Sequence, residues 1–319
     1  MANAKKRMAL LVGCNYPNTQ YELHGCINDV VAMQELLVER FGYEPTSIEL
    51  LTDGPGSKVM PTGANIRKAL NRMVDEAEEG DVLFFHYSGH GVLLNKHHLK
   101  REEAIVPCDF NLITDVDFRQ LVNRLPKGAT FTILSDSCHS GGLIDKEKEQ
   151  VGLNCPPPRD QTNSKPGPHL SKPKNIPYES LLSHLASLTN LVESEIGTHL
   201  TALFGEEASL KFRLPEVDLD QLFGQVHGSD SGILLSGCQS NETSADMPGG
   251  PGRKAQGAFS SAVQSILKKQ RALMSNKEVV VLARKMLKAE GLDEQHPCLY
   301  CSDENVEAPF LLWDVGTKK

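Results

Sequence analysis

Two stretches of this chain carry side chains that could act as a nucleophile and its base. Phe84-Phe85-His86-Tyr87-Ser88-Gly89-His90-Gly91 runs from apolar residues into histidine, serine and glycine. Thr132-Ile133-Leu134-Ser135-Asp136-Ser137-Cys138-His139-Ser140-Gly141-Gly142 does the same into aspartate and cysteine. Each pattern is that of a buried parallel strand whose carboxyl end opens into a loop, where ligands of open α/β sheets bind. A thiol is mostly protonated near neutral pH, so it needs an imidazole to take its proton. The same imidazole can later protonate a leaving amine. His90 and Cys138 are therefore the candidate dyad, and the chain reads as a protease. Side chains alternate along a strand, which pairs Ser88 with His90 and Asp136 with Cys138 on common faces if the extension continues. His86, earlier on its strand, is expected to be buried and hydrogen-bonded, and the side chain of His139 should diverge from that of Cys138.

The elements that must position this pair alternate along the chain. Strands are expected at Arg7–Cys14, Ile48–Thr52, Asp81–Ser88, Ala104–Pro107, Thr130–Asp136 and Gly232–Gly237. Helices are expected at Asn28–Phe41, Asn65–Glu79, Asp115–Leu125, Ala258–Gln270 and Lys277–Glu290. Ile66, Leu70, Met73 and Ala77 recur at helical spacing and define one apolar face. Alternation with continuous apolar strands predicts an α/β fold with a mostly parallel central sheet covered on both faces. The pattern breaks over residues 151–177, rich in proline and poor in apolar side chains, which should form an exposed linker. A helical pattern returns in Tyr178–Phe204 through Leu181, Leu182, Leu185, Leu188 and Leu191, and the sheet pattern resumes at Ser231.

Composition narrows the function. With 319 residues and 39% hydrophobic content the chain can bury a large core, and a net charge of −8 opposes a nucleic-acid surface. Lys5-Lys6-Arg7 before Met8–Cys14 imitates a secretory leader, but the apolar run is short and lacks a small-residue cleavage site, so a first buried strand is the better reading. No run reaches the ~20 apolar residues of a membrane span, and a cytoplasmic, reducing compartment is the default, with release to an acidic or extracellular space left open. Eight cysteines, several at the ends of apolar runs, read as buried thiols rather than a disulfide framework. His296-Pro297-Cys298-Leu299-Tyr300-Cys301 holds one C-x-x-C without a matching second pair, which favours a late strand and loop over zinc.

Cys138 lies 48 residues beyond His90, close to the ~50 of a caspase, although the caspase signature Gln-Ala-Cys-[Arg/Gln/Gly]-Gly is absent. His86-Tyr87-Ser88-Gly89-His90-Gly91 and Asp136-Ser137-Cys138-His139-Ser140-Gly141-Gly142 resemble the two signature blocks of the metacaspases. The resemblance extends through Gly25-Cys26-Ile27-Asn28-Asp29-Val30, Ile105-Val106-Pro107-Cys108-Asp109 and Ser231-Gly232-Ile233-Leu234-Leu235-Ser236-Gly237-Cys238-Gln239. No proline-rich stretch precedes the first strand and a linker separates two halves, as in the plant type II group. The resemblance implies a caspase-like fold with Cys138 as nucleophile and His90 as general base and acid. It implies an oxyanion hole from the backbone N–H groups of Gly91 and Cys138, and an S1 pocket of Cys26, Asp29, Ser88 and Asp136. Two carboxylates in a narrow pocket favour Arg or Lys at P1 and oppose an acidic residue. Read without the family, Asp29 is equally a helix N-terminal acid and Asp136 an internally paired one.

Calcium-activated relatives hold the ion with four carboxylates, and the positions that match are Glu102, Asp115, Val116 and Asp145. Valine cannot ligate a cation that takes six to eight oxygens. The expectation is no metal, no cofactor, and calcium-independent activity. Unmetallated carboxylates would repel one another and be relieved by protonation, which predicts activity favoured by mildly acidic pH. In the linker, Lys165 and Lys172 precede proline and Arg159 precedes Asp160. Lys174-Asn175 is the most permissive bond for self-processing, and it also matches the family's processing region.

The expected organisation is a p20-like catalytic region over 1–150, a linker over 151–177 with the processing site, a helical linker region over 178–230, and a p10-like region over 231–319 that completes the sheet. The expected activity is that of a monomeric zymogen acting on protein or peptide substrates with Arg or Lys at P1 and open to protein inhibitors. A catalytically silent scaffold that binds basic segments is the competing reading. A metal-dependent hydrolase using His86, His90 and Cys138 is a third.

Overall fold

The computed structural model describes residues 5–94, 102–139, 141, 143–144, 148–152, 171–192, 194–215, 232–239, 241–270 and 272–311. Arg159, Lys165 and Asp145 lie outside them. The central sheet has seven strands. They are β1 (Arg7–Gly13), β2 (Ile48–Thr52), β3 (Val82–Ser88), β7 (Thr130–Asp136), β8 (Glu149–Val151), β10 (Gly232–Ser236) and β13 (Cys298–Cys301), in the order β2-β1-β3-β7-β10-β13-β8. The five from β2 to β10 are parallel, and at one edge β13 runs antiparallel to both of its neighbours, β10 and β8. The first strand is thus structural, as its apolar run predicts, and the C-x-x-C lies on a buried strand.

Alternation along these strands builds two cores. Leu10, Val12, Phe85 and Ile133 face one way. They meet α2 (Gly63–Asp75) through Ile66 and Leu70, α3 (Asp115–Val122) through Phe118, α4 (Tyr178–Thr189) through Leu181 and Leu185, and α5 (Ile196–Phe204) through Leu200. Ala9, Leu11, Phe84 and Leu134 face the other way. They meet α1 (Cys26–Phe41) through Val30 and Met33, α7 (Ala258–Lys269) through Phe259, and α8 (Asn276–Ala289) through Val280. A short α6 (Leu210–Arg213) completes the helices among the described residues. The helical pattern expected over Tyr178–Phe204 is two helices. Asn190, at φ 56°, ends α4 in the left-handed conformation and turns the chain.

Two expectations change. The strand carrying the histidine does not continue to it: β3 stops at Ser88, and His90 opens β4 (His90–Leu93), which pairs with β5 (Glu103–Val106) in a second sheet closed by β6 (Ile113–Thr114). The Tyr16 hydroxyl accepts the His90 backbone N–H at 2.9 Å, and β5 pairing draws the chain away from β3. Ser88 and His90 therefore serve different parts of the site. The end of the expected exposed linker is also inside the protein. Lys172–Pro173 forms β9, which joins β11 (Ala245–Met247) and β12 (Gln256–Gly257) in a third sheet, and Lys174 and Ile176 are buried. Proline content marks the segment as irregular, but pairing through β11 and a matching pocket draw it inward.

Tyr16 is itself held by Asp53, just past β2, whose carboxylate accepts the N–H groups of Asn15 at 2.8 Å and Tyr16 at 2.7 Å. This fixes Tyr16 at φ 50°, a left-handed conformation unfavourable for its side chain. Replacing Asp53 by alanine strands two backbone donors. Urea unfolding of Asp53→Ala should show a loss of about 1–3 kcal/mol.

Candidate functional site

Residues 172–176 lie extended across the carboxyl ends of the strands. Lys174 donates its N–H to the Ser244 carbonyl at 2.9 Å, and Ile176 donates to the Gly91 carbonyl at 3.0 Å. The Lys174 carbonyl oxygen accepts two N–H groups, from Gly91 at 3.0 Å and from Cys138 at 3.2 Å. The two expected oxyanion-hole donors thus converge on the carbonyl of the Lys174-Asn175 bond. Any Cβ at position 91 would overlap the Cys138 carbonyl, so the close approach requires glycine.

The side chain of Lys174 enters a closed pocket and is fully buried. Its Nζ lies 2.9 Å from Ser88 Oγ, 3.2 Å from Asp136 Oδ2 and 3.5 Å from Asp29 Oδ2. Asp29 accepts the Ser88 hydroxyl at 2.7 Å and the Gly257 N–H at 2.9 Å. Asp136 accepts the Ser244 hydroxyl at 2.6 Å and the Ser260 N–H at 2.8 Å. Burial pushes the Asp29 carboxyl up to about 7 against the opposing pull of Lys174. Burial also acts on Asp136, but the ammonium and the Ser244 and Ser260 donors hold it below the ordinary carboxylate range. The shorter contact and the lower shift agree that Asp136 is the principal counter-ion. Lys174 stays protonated, since burial is outweighed by its acidic neighbours, Asp136 foremost. Cys26, the first residue of α1, is buried one helical turn from Asp29, and burial pushes its thiol well up.

The imidazole of His90 packs on the ring of Tyr16 at 4.8 Å. Its Nε2 lies 2.7 Å from the Tyr21 carbonyl, which can only accept, so Nε2 carries the proton. Nδ1 is then the basic nitrogen, and it has no hydrogen-bond partner among the described residues. Burial lowers the ring to about 4, Tyr21 opposes this and Lys174 adds to it. Cys138 is fully buried, and its sulfur accepts the Ser244 N–H at 2.9 Å.

A family model described as caspase domain matches residues 6–307. Metacaspase-9 of Arabidopsis thaliana is 56% identical over 322 residues, spanning 96% of this chain and 97% of that protein. Metacaspase-6 of the same plant is 38% identical over 369 residues, spanning 97% and 100%. This chain belongs to the metacaspase family. A solved protein of Geobacter sulfurreducens shares the fold at a TM-score of 0.57 and 17% identity, covering 95% of this chain and 97% of its own. The chain is accordingly a cysteine peptidase of the caspase-like class.

The other sequence-level candidates fall into place around this centre. His86 is buried, with Nε2 3.0 Å from Ser260 Oγ, and burial lowers it to about 3. It does not join His90 and Cys138, and among the described residues no three His, Cys, Asp or Glu side chains are arranged to hold a metal. Glu102 and Asp115 are not a bare acidic pair: Lys211 on α6 lies 3.1 Å from each, and Arg119 lies 3.7 Å from Asp115. Val116 is buried apolar surface. These residues do not fit a calcium ion, and the ammonium cancels the repulsion on which the acidic-pH expectation rests. Among the described residues no helix is long and apolar enough to cross a membrane.

Sequence reasoning missed Ser244, Ser260, Gly257 and Tyr21. All act largely through backbone groups or small hydroxyls, which leave no spacing signal. Only the Gln256-Gly257 pair, opening an apolar helix without a Ser, Thr, Asp or Asn cap, marked a special position. A Cβ on Gly257 would fall on Asp136, Asp29 and Lys174 Nζ together. In an uncut Cys138→Ala chain, Lys174 should resist acylation by an amine reagent, and adding Gly257→Ala should make it reactive by peptide mass spectrometry.

Proposed function

We propose that the chain is a cysteine endopeptidase cleaving after Lys or Arg, made as a zymogen that cuts itself between Lys174 and Asn175. The observation that carries this reading is Lys174, with its ammonium between Asp29 and Asp136 and its carbonyl on the N–H groups of Gly91 and Cys138. The segment has the arrangement of a bound substrate, with Lys174 as P1. A basic side chain gives the two carboxylates a partner, whereas an acidic or neutral one leaves buried charge uncompensated. An arginine can span the same two carboxylates through its planar fork.

In the proposed reaction the Cys138 sulfur attacks the P1 carbonyl carbon and its proton passes to His90 Nδ1. Negative charge forming on the carbonyl oxygen meets the two N–H donors already aimed at it. The imidazolium returns the proton to the nitrogen of Asn175 as the peptide bond breaks, leaving a thioester. Water, deprotonated by His90, then hydrolyses that thioester and frees the thiol. Cys26 and Ser88 complete the wall of the specificity pocket. Substrates would be extended protein segments with Lys or Arg at P1, taken by a monomer and open to protein inhibitors that present the same residues.

We read the activity as calcium-independent, because Lys211 supplies the positive charge between Glu102 and Asp115. Tolerance of mild acid has a different source from carboxylate repulsion. A ring lowered to about 4 keeps its neutral, proton-accepting form at every pH above that value. Asp136, held low, keeps the P1 ion pair over the same range.

Cys138→Ala should abolish hydrolysis of a small Arg substrate and leave the chain uncut. Wild type should show new termini at Lys174 and Asn175 by mass spectrometry, and Lys174→Ala should lose that cut. Hydrolysis retained by Cys138→Ala sinks the reading, as does an active enzyme with the bond intact. Followed against pH with a calcium chelator present, self-cleavage should persist at about pH 5 and fall away below about pH 4. A requirement for calcium, or a loss already at neutral pH, contradicts the assignment.

A further inference from the structure

Ser244 touches three parts of the site at once. Its N–H donates to Cys138 Sγ at 2.9 Å, its carbonyl accepts the N–H of Lys174 at 2.9 Å, and its hydroxyl donates to Asp136 at 2.6 Å. Nucleophile, substrate backbone and specificity carboxylate therefore take their relative positions from one residue. That residue lies in the turn leading into β11, and a turn is soft unless something fixes it.

Gln295 fixes it. The side chain is buried in the connection between α8 and β13. Its Nε2 donates to Ser244 Oγ at 2.9 Å and to the Gly237 carbonyl at 2.9 Å, while Oε1 accepts the Ala245 N–H at 3.2 Å. Both ends of the amide are used, so its orientation follows from its partners. The next residue extends the grip: the His296 N–H reaches Glu242 Oε2 at 2.8 Å, and Glu242 Oε2 accepts the Gln239 N–H at 3.2 Å.

We propose that Gln295 is a positioning residue for the reaction, holding Ser244 through its hydroxyl and through the Ala245 N–H so that the Ser244 N–H meets the sulfur and the Ser244 carbonyl meets the P1 amide. This rests on the peptidase reading above. The role differs from plain core stability because the amide acts on direction: released, the backbone on both sides of Ser244 can turn, and its N–H leaves the sulfur while the fold persists. A donor aimed at the sulfur supports negative charge there as the thiol gives up its proton.

Two variants separate the arms of this proposal. Gln295→Met keeps the volume and removes all three hydrogen bonds. Ser244→Ala keeps the backbone N–H and carbonyl and the Gln295 bonds to Ala245 and Gly237, and removes the hydroxyl's hold on Asp136 together with its bond from Gln295 Nε2. In the self-cut enzyme, Gln295→Met should lower kcat on an Arg substrate about tenfold with a smaller change in KM. Ser244→Ala should instead act mainly on KM, raising it several-fold. A second readout does not depend on turnover: the rate of Cys138 alkylation by iodoacetamide in the full chain carrying Lys174→Gly, which empties the pocket. Gln295→Met should slow alkylation about fivefold and Ser244→Ala should leave it near the reference rate. If Gln295→Met does not fold, Gln295→Glu, which keeps the acceptor for Ala245 and loses both donors, is expected to change kcat and alkylation in the same direction. A folded Gln295 variant with reference kcat and reference alkylation overturns the proposal. Hydrolysis that survives Cys138→Ala would overturn the peptidase reading instead, and the alkylation rate would still decide the role of Gln295.

Discussion

The ammonium of Lys174 and the carboxylates of Asp29 and Asp136 are buried together, and none of the three could be buried alone. An unpaired charge in such a slot carries a desolvation cost of several kcal/mol, and two carboxylates without a cation repel each other. The slot and the lysine are therefore mutual conditions of this conformation. The walls come from widely separated parts of the chain: α1 gives Asp29, β3 gives Ser88, β7 gives Asp136 and β12 gives Gly257. A single side chain thus gathers elements far apart in sequence around one charge.

Seating that side chain fixes everything near it. With the ammonium docked and Lys172–Pro173 paired to β11, the carbonyl of Lys174 has one place to go, which is between the donors of Gly91 and Cys138. The histidine approaches from a different sheet, positioned by Tyr16 and Tyr21 rather than by the strand before it. This division lets the acidic slot be rigid while the imidazole rests on an aromatic surface. The ring of His90 is neutral here, since burial lowers it to about 4 and the Lys174 ammonium acts in the same direction.

Much of this architecture was legible in residue patterns. Apolar residues located Ile48–Thr52 and Thr130–Asp136 at their observed bounds, and in Thr130–Asp136 burial on both faces leaves a continuous signal. The residues His90, Cys138, Asp29 and Asp136 were legible because their chemistry is rare and their neighbourhoods are glycine-rich. Two-residue strands such as β9 and β12 were not, since so short a pairing has no period. The burial of Lys174 and Ile176 was hidden for another reason: a lysine in a proline-rich stretch reads as solvent-loving until a pocket of opposite charge is known. Gln295 was invisible because a buried amide differs from a surface one only in its partners.

The same logic explains the contact between Lys211, Glu102 and Asp115. Two carboxylates near each other need a positive charge, and either an ion or a side chain can supply it. A calcium ion asks for six to eight oxygens, and among the described residues Val116 offers none because its side chain is buried. An ammonium asks for only three acceptors and comes attached to α6, so its local concentration does not vary with the medium. Arg119 adds a second positive group beside Asp115, which brings the four side chains to formal balance. The cluster is neutralised from within, and the helix that carries the lysine is held against α3 as a consequence.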